Sequence, residues 1–239
     1  MAVSVILDIE GTICPISFVK DVLFPYFLAQ LPDILDRYTY PISQNSTDTL
    51  ESILAKFPQA TLVSKTQLHS HIKSLVDNDV KDPVLKELQG FVWEKGYHEG
   101  QIQAPLYNDA LQAIGTWSKD PAKNVYIYSS GSVKAQKLLF QYVKPIDSTG
   151  PVESQDINSQ LSGYFDTNNA GPKIEASSYL KIAHAIGSDP SSCVFLSDNP
   201  KEVDAAIAAG MKSYLVVRPG NAPVDSTATK ITSFDQLSI

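Results

Sequence analysis

Cysteine is nearly absent from this chain of 239 residues: Cys14 and Cys193 are its only two, and both stand in apolar segments. A secreted scaffold stapled by disulfides would use more, so the pair reads as buried small side chains in a reducing compartment. Positive charge is also scarce, with 19 Lys and Arg against 26 Asp and Glu and a formal charge of −7. That balance argues against a nucleic-acid surface, where phosphates are held by clustered Lys and Arg. No stretch approaches the roughly 18 apolar residues of a membrane span. The opening Met-Ala-Val-Ser-Val-Ile-Leu-Asp has no basic residue and breaks its apolar run at Asp8, unlike an ordinary signal peptide. The expectation is a soluble protein of the cytoplasm, with the nucleus also open to it, and with neither nucleic acid nor membrane as partner.

What is present suits a folded domain with an insert. The chain is 43% hydrophobic, enough for a sizeable core without staples. Four short apolar runs, Val3–Leu7, Val125–Tyr128, Val194–Leu196 and Tyr214–Val217, read as parallel strands covered on both faces. Helical patterns at Val133–Val143, Ile174–Ile186 and Glu202–Ala209 lie between the later ones, the last ending at Gly210. Strands alternating with helices predict an α/β fold, a doubly wound parallel sheet. The stretch from the first to the second strand is too long for one crossover. Phe18–Leu31, interrupted by Pro25, precedes a polar loop from Thr39 to Thr49, and helical patterns resume at Thr66–Asp77 and Val84–Glu94. We expect a core of residues 1–17 and 104–239, re-entered through a helix over Leu106–Trp117, and a helical cap over 18–103. Ile146 to Ser162 is expected to be a surface loop.

Ligands of an open parallel sheet bind beyond the carboxyl ends of its strands. Those ends read Asp8-Ile9-Glu10-Gly11-Thr12, Ser129-Ser130-Gly131-Ser132 and Ser197-Asp198-Asn199-Pro200. Each has an ordinary reading: Asp and Gly make turns, Ser130 or Ser132 would cap a helix, and Asp198 would cap another. Together with Lys173, in Asn-Asn-Ala-Gly-Pro-Lys before a helix, they match phosphoryl transfer through an aspartyl-phosphate. Asp8 is the expected nucleophile. Glu10 would protonate the leaving oxygen and deprotonate the attacking water. Ser129, Ser130 and Lys173 would hold phosphate oxygens, Lys173 answering the problem of an anion bound by an acidic protein. A carboxylate facing a phosphate dianion calls for Mg²⁺, with Asp8 and Asp198 as ligands and the backbone or side chain of Glu10 as a further one. Lys134 and Lys137 are expected to face solvent, and Glu202 stays outside the expected set.

These residues resemble the haloacid dehalogenase-like hydrolases, with the four motifs in that superfamily's order. The similarity is closer to its enolase-phosphatase family, over nearly the whole chain: Leu-Asp-Ile-Glu-Gly-Thr, Pro15-Ile16-Ser17-Phe18-Val19, Gly90-Phe91-Val92-Trp93, Gly96-Tyr97, Tyr128 to Ser132 and Leu196 to Pro200. Glu10, where most of the superfamily has Asp, is a mark of that family. The resemblance implies one Mg²⁺ per subunit on Asp8, Glu10 and Asp198, and substrate contacts at Ser129, Ser130 and Lys173. It also implies a small phosphorylated diketone of methionine salvage as the partner, enolised and then dephosphorylated; a monomer is expected. Gln103 departs from the pattern, which has a lysine there. A base for the enolisation is not identified; Glu10 is the economical choice, with Glu94, His98 and Glu99 as alternatives. The rival readings are a hydrolase of the same fold acting on another small phosphate ester or on a haloacid, a phospho-acceptor module, and a protein-binding scaffold.

Overall fold

A computed structural model describes residues 3–148 and 153–239, in two compact units: Met1–Phe18 with Gln103–Ile239, and Val19–Ile102. The first unit holds β1 (Val3–Leu7), β2 (Ala104–Leu106), β3 (Lys123–Tyr128), β4 (Val143–Pro145), β5 (Gly163–Phe165), β6 (Cys193–Ser197), β7 (Lys212–Val216) and β8 (Lys230–Ile231). Six of them form one parallel sheet in the order β5-β3-β1-β6-β7-β8, with Val5 opposite both Val125 and Val194. The chain steps outward from β1 on one side, then returns to step outward on the other, so the order reverses beside β1. Ligand crevices of doubly wound sheets open at that reversal. Val5, Ile6 and Leu7 are all fully buried, which requires cover on both faces of the sheet.

α7 (Ala176–Ala185) and α8 (Pro200–Ala208) bury Tyr179, Ile182, Ala183, Ala205 and Ala206 against Ile6, Tyr128 and Phe195. Alanines let α8 lie close. α5 (Asn108–Trp117) packs on β3 and stacks Trp117 on Phe234 in the turn near the chain end. α6 (Val133–Gln141) follows β3 and buries Gln136 and Phe140.

The second unit is helical. A π-helical turn over Val19–Leu23 runs into α1 (Phe24–Leu35), followed by α2 (Thr49–Leu54), α3 (Lys65–Asp77) and α4 (Pro83–His98). Each of the last three has a side-chain cap, Asp48, Ser64 and Asp82 accepting from Glu51 N, Gln67 N and Leu85 N. Phe27, Leu31, Leu54, Leu68, Ile72 and Leu88 form its core. Gly96 in α4 is tightly packed, since a Cβ there would press on Tyr26 and Ile102.

Several boundaries differ from the sequence reading. Pro25 does not end the helical run: it stands in the first turn of α1, directly after the π-helical turn over Val19–Leu23. The polar stretch ends in α2, which the sequence pattern hides because it is only six residues long. Leu106 belongs to β2, and the re-entering helix starts at Asn108. The stretch from Ile146 to Ser162 pairs Gln155 with Val143 and makes a 3₁₀ turn over Asn158–Gln160, while residues 149–152 lie outside the described ones.

Candidate active site

β1 delivers Asp8 as a bonded part of the sheet, its backbone N–H donating to Leu196 O at 3.0 Å. The chain then closes into a knot. Ile9 O accepts from the N–H groups of Thr12, Ile13 and Cys14 at 2.9–3.2 Å, and Gly11 N donates to Cys14 O at 2.8 Å. Gly11 has φ +68, and a Cβ there would run into the Asp198 carboxylate. Only glycine lets the β1 and β6 loops approach so closely. Asp8 and Ser129 are buried, whereas Glu10 is half-buried.

Beyond β3, Ser129 N donates to Phe165 O at 3.2 Å and Ser129 Oγ accepts from Gly131 N at 3.3 Å. Ser132 is the cap of α6, accepting from Ala135 N at 3.2 Å, so Ser130 has no capping task. This hydroxyl loop is fixed from below by two buried polar residues. Asp166 Oδ2 accepts from Val133 N at 3.0 Å while its Oδ1 accepts from Asn168 N and Asn169 N. Gln136 Nε2 donates to Gly131 O and Phe165 O, each at 2.8 Å.

Lys173 leaves a loop in which three successive carbonyls are held: Tyr128 Oη donates to Gly171 O, Ser178 Oγ to Pro172 O and Tyr179 Oη to Lys173 O, at 2.7–2.8 Å. Its ammonium stands 2.6 Å from Asp8 Oδ1 and 2.7 Å from Glu202 Oε2. Ser197 Oγ lies 2.8 Å from Glu202 Oε2 and 3.2 Å from Asp8 Oδ2. One hydroxyl proton serves both, and the shorter distance favours Glu202. Asp8 Oδ1 therefore takes the strong contacts, from Lys173 and from Ile9 N at 2.8 Å, and Oδ2 is the less committed oxygen. Asn199, not Asp198, caps α8, accepting from Lys201 N at 3.0 Å. Asp198 is thereby spared the ordinary structural role.

These side chains converge. Asp8, Glu10, Ser129, Ser130, Lys173 and Asp198 all line one pocket of about 340 Å³, together with Glu202 and an apolar rim of Ile16, Ala222 and Val224. Four carboxylates face one ammonium, so Lys173 does not by itself answer the charge problem; it is occupied by Asp8 and Glu202. Burial lowers the Lys173 pKa, but the charges of Asp8 and Glu202 outweigh it and hold it above its usual value. Burial, and then the charge of Asp8, push Asp198 up to about 6, and the same two causes raise Glu202.

That excess of crowded carboxylate oxygens suits a hard divalent cation. Among the described residues no three His, Cys, Asp or Glu side chains are gathered as a ready-made cage, so the expected three-carboxylate set is not preassembled. Mg²⁺ needs no such cage, since it uses one or two carboxylates and completes its shell with water and phosphate oxygens. The donors here fit it, and the absence of thiol or imidazole from the pocket lining disfavours softer metals.

Sequence reasoning missed Glu202, whose signal was its place one turn beyond Asp198, and also Ser197, Asp166 and Gln136. Gln103 donates to Ser154 Oγ at 2.8 Å and is not part of the pocket lining. Lys134 and Lys137 are exposed, as expected. Glu94, His98 and Glu99 belong to the helical unit, at the end of α4. The Cys14 and Cys193 thiols are free and buried, and burial raises both pKa values.

A doubly wound sheet with two acidic loops, a hydroxyl loop and a lysine at its reversal defines a phosphatase-type hydrolase. The family model described as haloacid dehalogenase-like hydrolase matches residues 4–210, and the chain belongs to that family. Within it the chain is similar to enolase-phosphatase E1 of Candida albicans, 51% identical over 93% of this chain and 86% of the relative. The same protein of Komagataella phaffii is 52% identical over 91% of this chain and 90% of its own length. The crystal structure of the UTR4 protein of Saccharomyces cerevisiae superposes with a TM-score of 0.84 at 46% identity, covering 99% of this chain and all of that one. No helix among the described residues is long and apolar enough to cross a membrane.

Proposed function

We infer that this hydrolase is a bifunctional enolase-phosphatase of methionine salvage. It enolises 2,3-diketo-5-methylthiopentyl-1-phosphate and then removes the phosphate to give the acireductone. The observation that carries the reading is the Asp8 carboxylate, held by Lys173 at the sheet reversal in one pocket with Glu10, Ser129 and Asp198, in a chain about half identical to enolase-phosphatases.

Ser129, Ser130 and the backbone N–H groups beside them receive the phosphate oxygens at the start of α6. Asp8 Oδ2 attacks phosphorus as the bond to the substrate oxygen breaks, and Glu10 donates the proton that the leaving oxygen takes. Water then attacks the aspartyl-phosphate, Glu10 recovers a proton from it, and phosphate departs with Asp8 restored. Lys173 pairs with Asp8 and orients it. Bound Mg²⁺ on Asp8, Asp198 and Glu10 would supply the positive charge that the pocket's own residues lack. Glu10 is the carboxylate of this pocket assigned to the earlier enolisation, taking the proton next to a carbonyl. The protein works in the cytoplasm.

The test is turnover of a panel of phosphate esters, with and without Mg²⁺, following enol absorbance and phosphate together. Enol absorbance ahead of phosphate, lost in Asp8→Asn only at the phosphate step, is the expected result. Phosphate without a preceding enol removes the bifunctional reading and keeps the phosphatase. Turnover that persists in Asp8→Asn overturns the nucleophile.

A further inference from the structure

In the Asp8–Cys14 loop the N–H groups of Gly11, Thr12, Ile13 and Cys14 bond to Cys14 O and Ile9 O, and none of them serves the carbonyls of the buried residues Gly11 and Thr12. A buried carbonyl without a donor is costly, and an unfixed one leaves the loop free to turn. Both are met by the segment that follows β7. Asn221 Nδ2 donates to Gly11 O at 2.9 Å, and Arg218 Nε donates to Thr12 O at 2.9 Å. Residues 206 and 210 positions further along the chain thus hold neighbouring peptides of the loop that carries Glu10.

The two donors are themselves immobilised. Arg218 is 5% exposed, with Nη1 at 2.8 Å from Asp109 Oδ2 and 3.2 Å from Thr232 O. Its guanidinium lies 4.3 Å from the Tyr107 ring centroid and 5.0 Å from that of Phe234. Asn221 is drawn back to it by Asn221 N donating to Arg218 O at 3.1 Å, around Gly220 at φ +88. Neither residue lines the pocket. Between the clamp and the pocket stands Gly11, too close to Asp198 to carry a side chain.

We propose that Arg218 and Asn221 are positioning residues that lock the Gly11 and Thr12 peptides and so fix the direction of Glu10 and the approach of the β1 loop to Asp198. The inference rests on the phosphatase reading for its kinetic consequence, while the clamp itself has a signature independent of turnover. Misplacing a catalytic group by about an ångström can cost on the order of 10²-fold in rate. Asn221 is the cleaner target, because its side chain is half-buried and outside the Arg218–Asp109 network.

Hydrogen exchange and steady-state kinetics are measured on the full chain and on Asn221→Ala. The expected result is exchange of the Gly11 to Cys14 amides faster by about tenfold or more, with the rest of the sheet unchanged. Turnover number should fall about 10-fold to 100-fold with KM within about threefold. Arg218→Lys keeps the charge but cannot reach Thr12 O and Asp109 together, and should reproduce the loop signature. Loop exchange equal to that of the unaltered chain in both variants overturns the clamp. So does a loss of protection spread over the sheet, with turnover following only the folded fraction. If the unaltered chain releases no phosphate, the phosphatase reading fails and the exchange pattern still decides the clamp.

Discussion

Lys173 holds its ammonium 2.6 Å from Asp8 Oδ1 in a contact almost closed to water, each side chain being less than a tenth exposed. In such a place an ion pair is unscreened, and removing one partner leaves a buried charge. Lys173→Met should lower kcat/KM by about 10²–10³-fold. Lys173→Arg should not rescue it, since a planar fork does not replace a point charge set 2.6 Å and 2.7 Å from two carboxylates. Steady-state kinetics on folded variants decide this; rescue by arginine would show that only the charge matters.

Burial disfavours the charge of the Asp198 carboxylate, and crowding by Asp8 adds to it. Asp198→Asn should therefore raise the melting temperature in EDTA by a few degrees while abolishing turnover, a trade between stability and function. Mg²⁺ should raise the melting temperature of the unaltered chain and leave that of the variant flat. A variant that is less stable in EDTA would count against the crowding.

Asp166 ties the first N–H of α6 and the turn after β5 to one side chain, under the hydroxyl loop. Its replacement by alanine should cost about 1–2 kcal/mol in urea unfolding, as for a lost cap. KM should rise more than the turnover number falls, because the loop binds phosphate and does not attack it. An unchanged KM would separate Asp166 from the loop.

Acid stability should report the Asp109–Arg218 pair. Burial alone would raise Asp109, but the bonds from Arg218 and from Phe234 N outweigh it and hold the carboxyl below its usual range. A depressed folded pKa gives stability that is present above the unfolded value, about 4, and is lost as pH falls through the folded one. Asp109→Asn should melt lower at pH 7, and its stability should depend less on pH below about 4. Equal acid slopes in the two chains would rule the pair out as a source of acid sensitivity.

What could be read from the residues divides along physical lines. β1 and the chemistry after it were legible because a strand buried on both faces is an unbroken apolar run, and Asp8 ends that run abruptly. β4 and β5 were not, since three-residue strands such as Val143–Pro145 carry no periodicity. α2 left one trace, the Asp48 cap bonded to Glu51 N, inside a stretch otherwise polar. Lys173 lines the pocket, but its pairing with Glu202 could not be read, because that depends on where α8 begins in space. The partners of Gly11 and Thr12 lie some two hundred residues away, and nothing local announces them.

Asp8 and Ser197, in contact across the site, are 189 residues apart in the chain, and β1 pairs with strands beginning at Lys123 and Cys193. The central strand is therefore made first and gains its second neighbour only with Cys193–Ser197. During synthesis Val3–Leu7 has no strand partner until Lys123–Tyr128 has been made, and its other side stays open until Cys193–Ser197 follows. Such non-local pairing slows folding and exposes a sticky edge to neighbouring chains. The strand that carries the nucleophile thus spends much of synthesis with an open edge, and the site cannot assemble before Lys173 and Asp198 have been made.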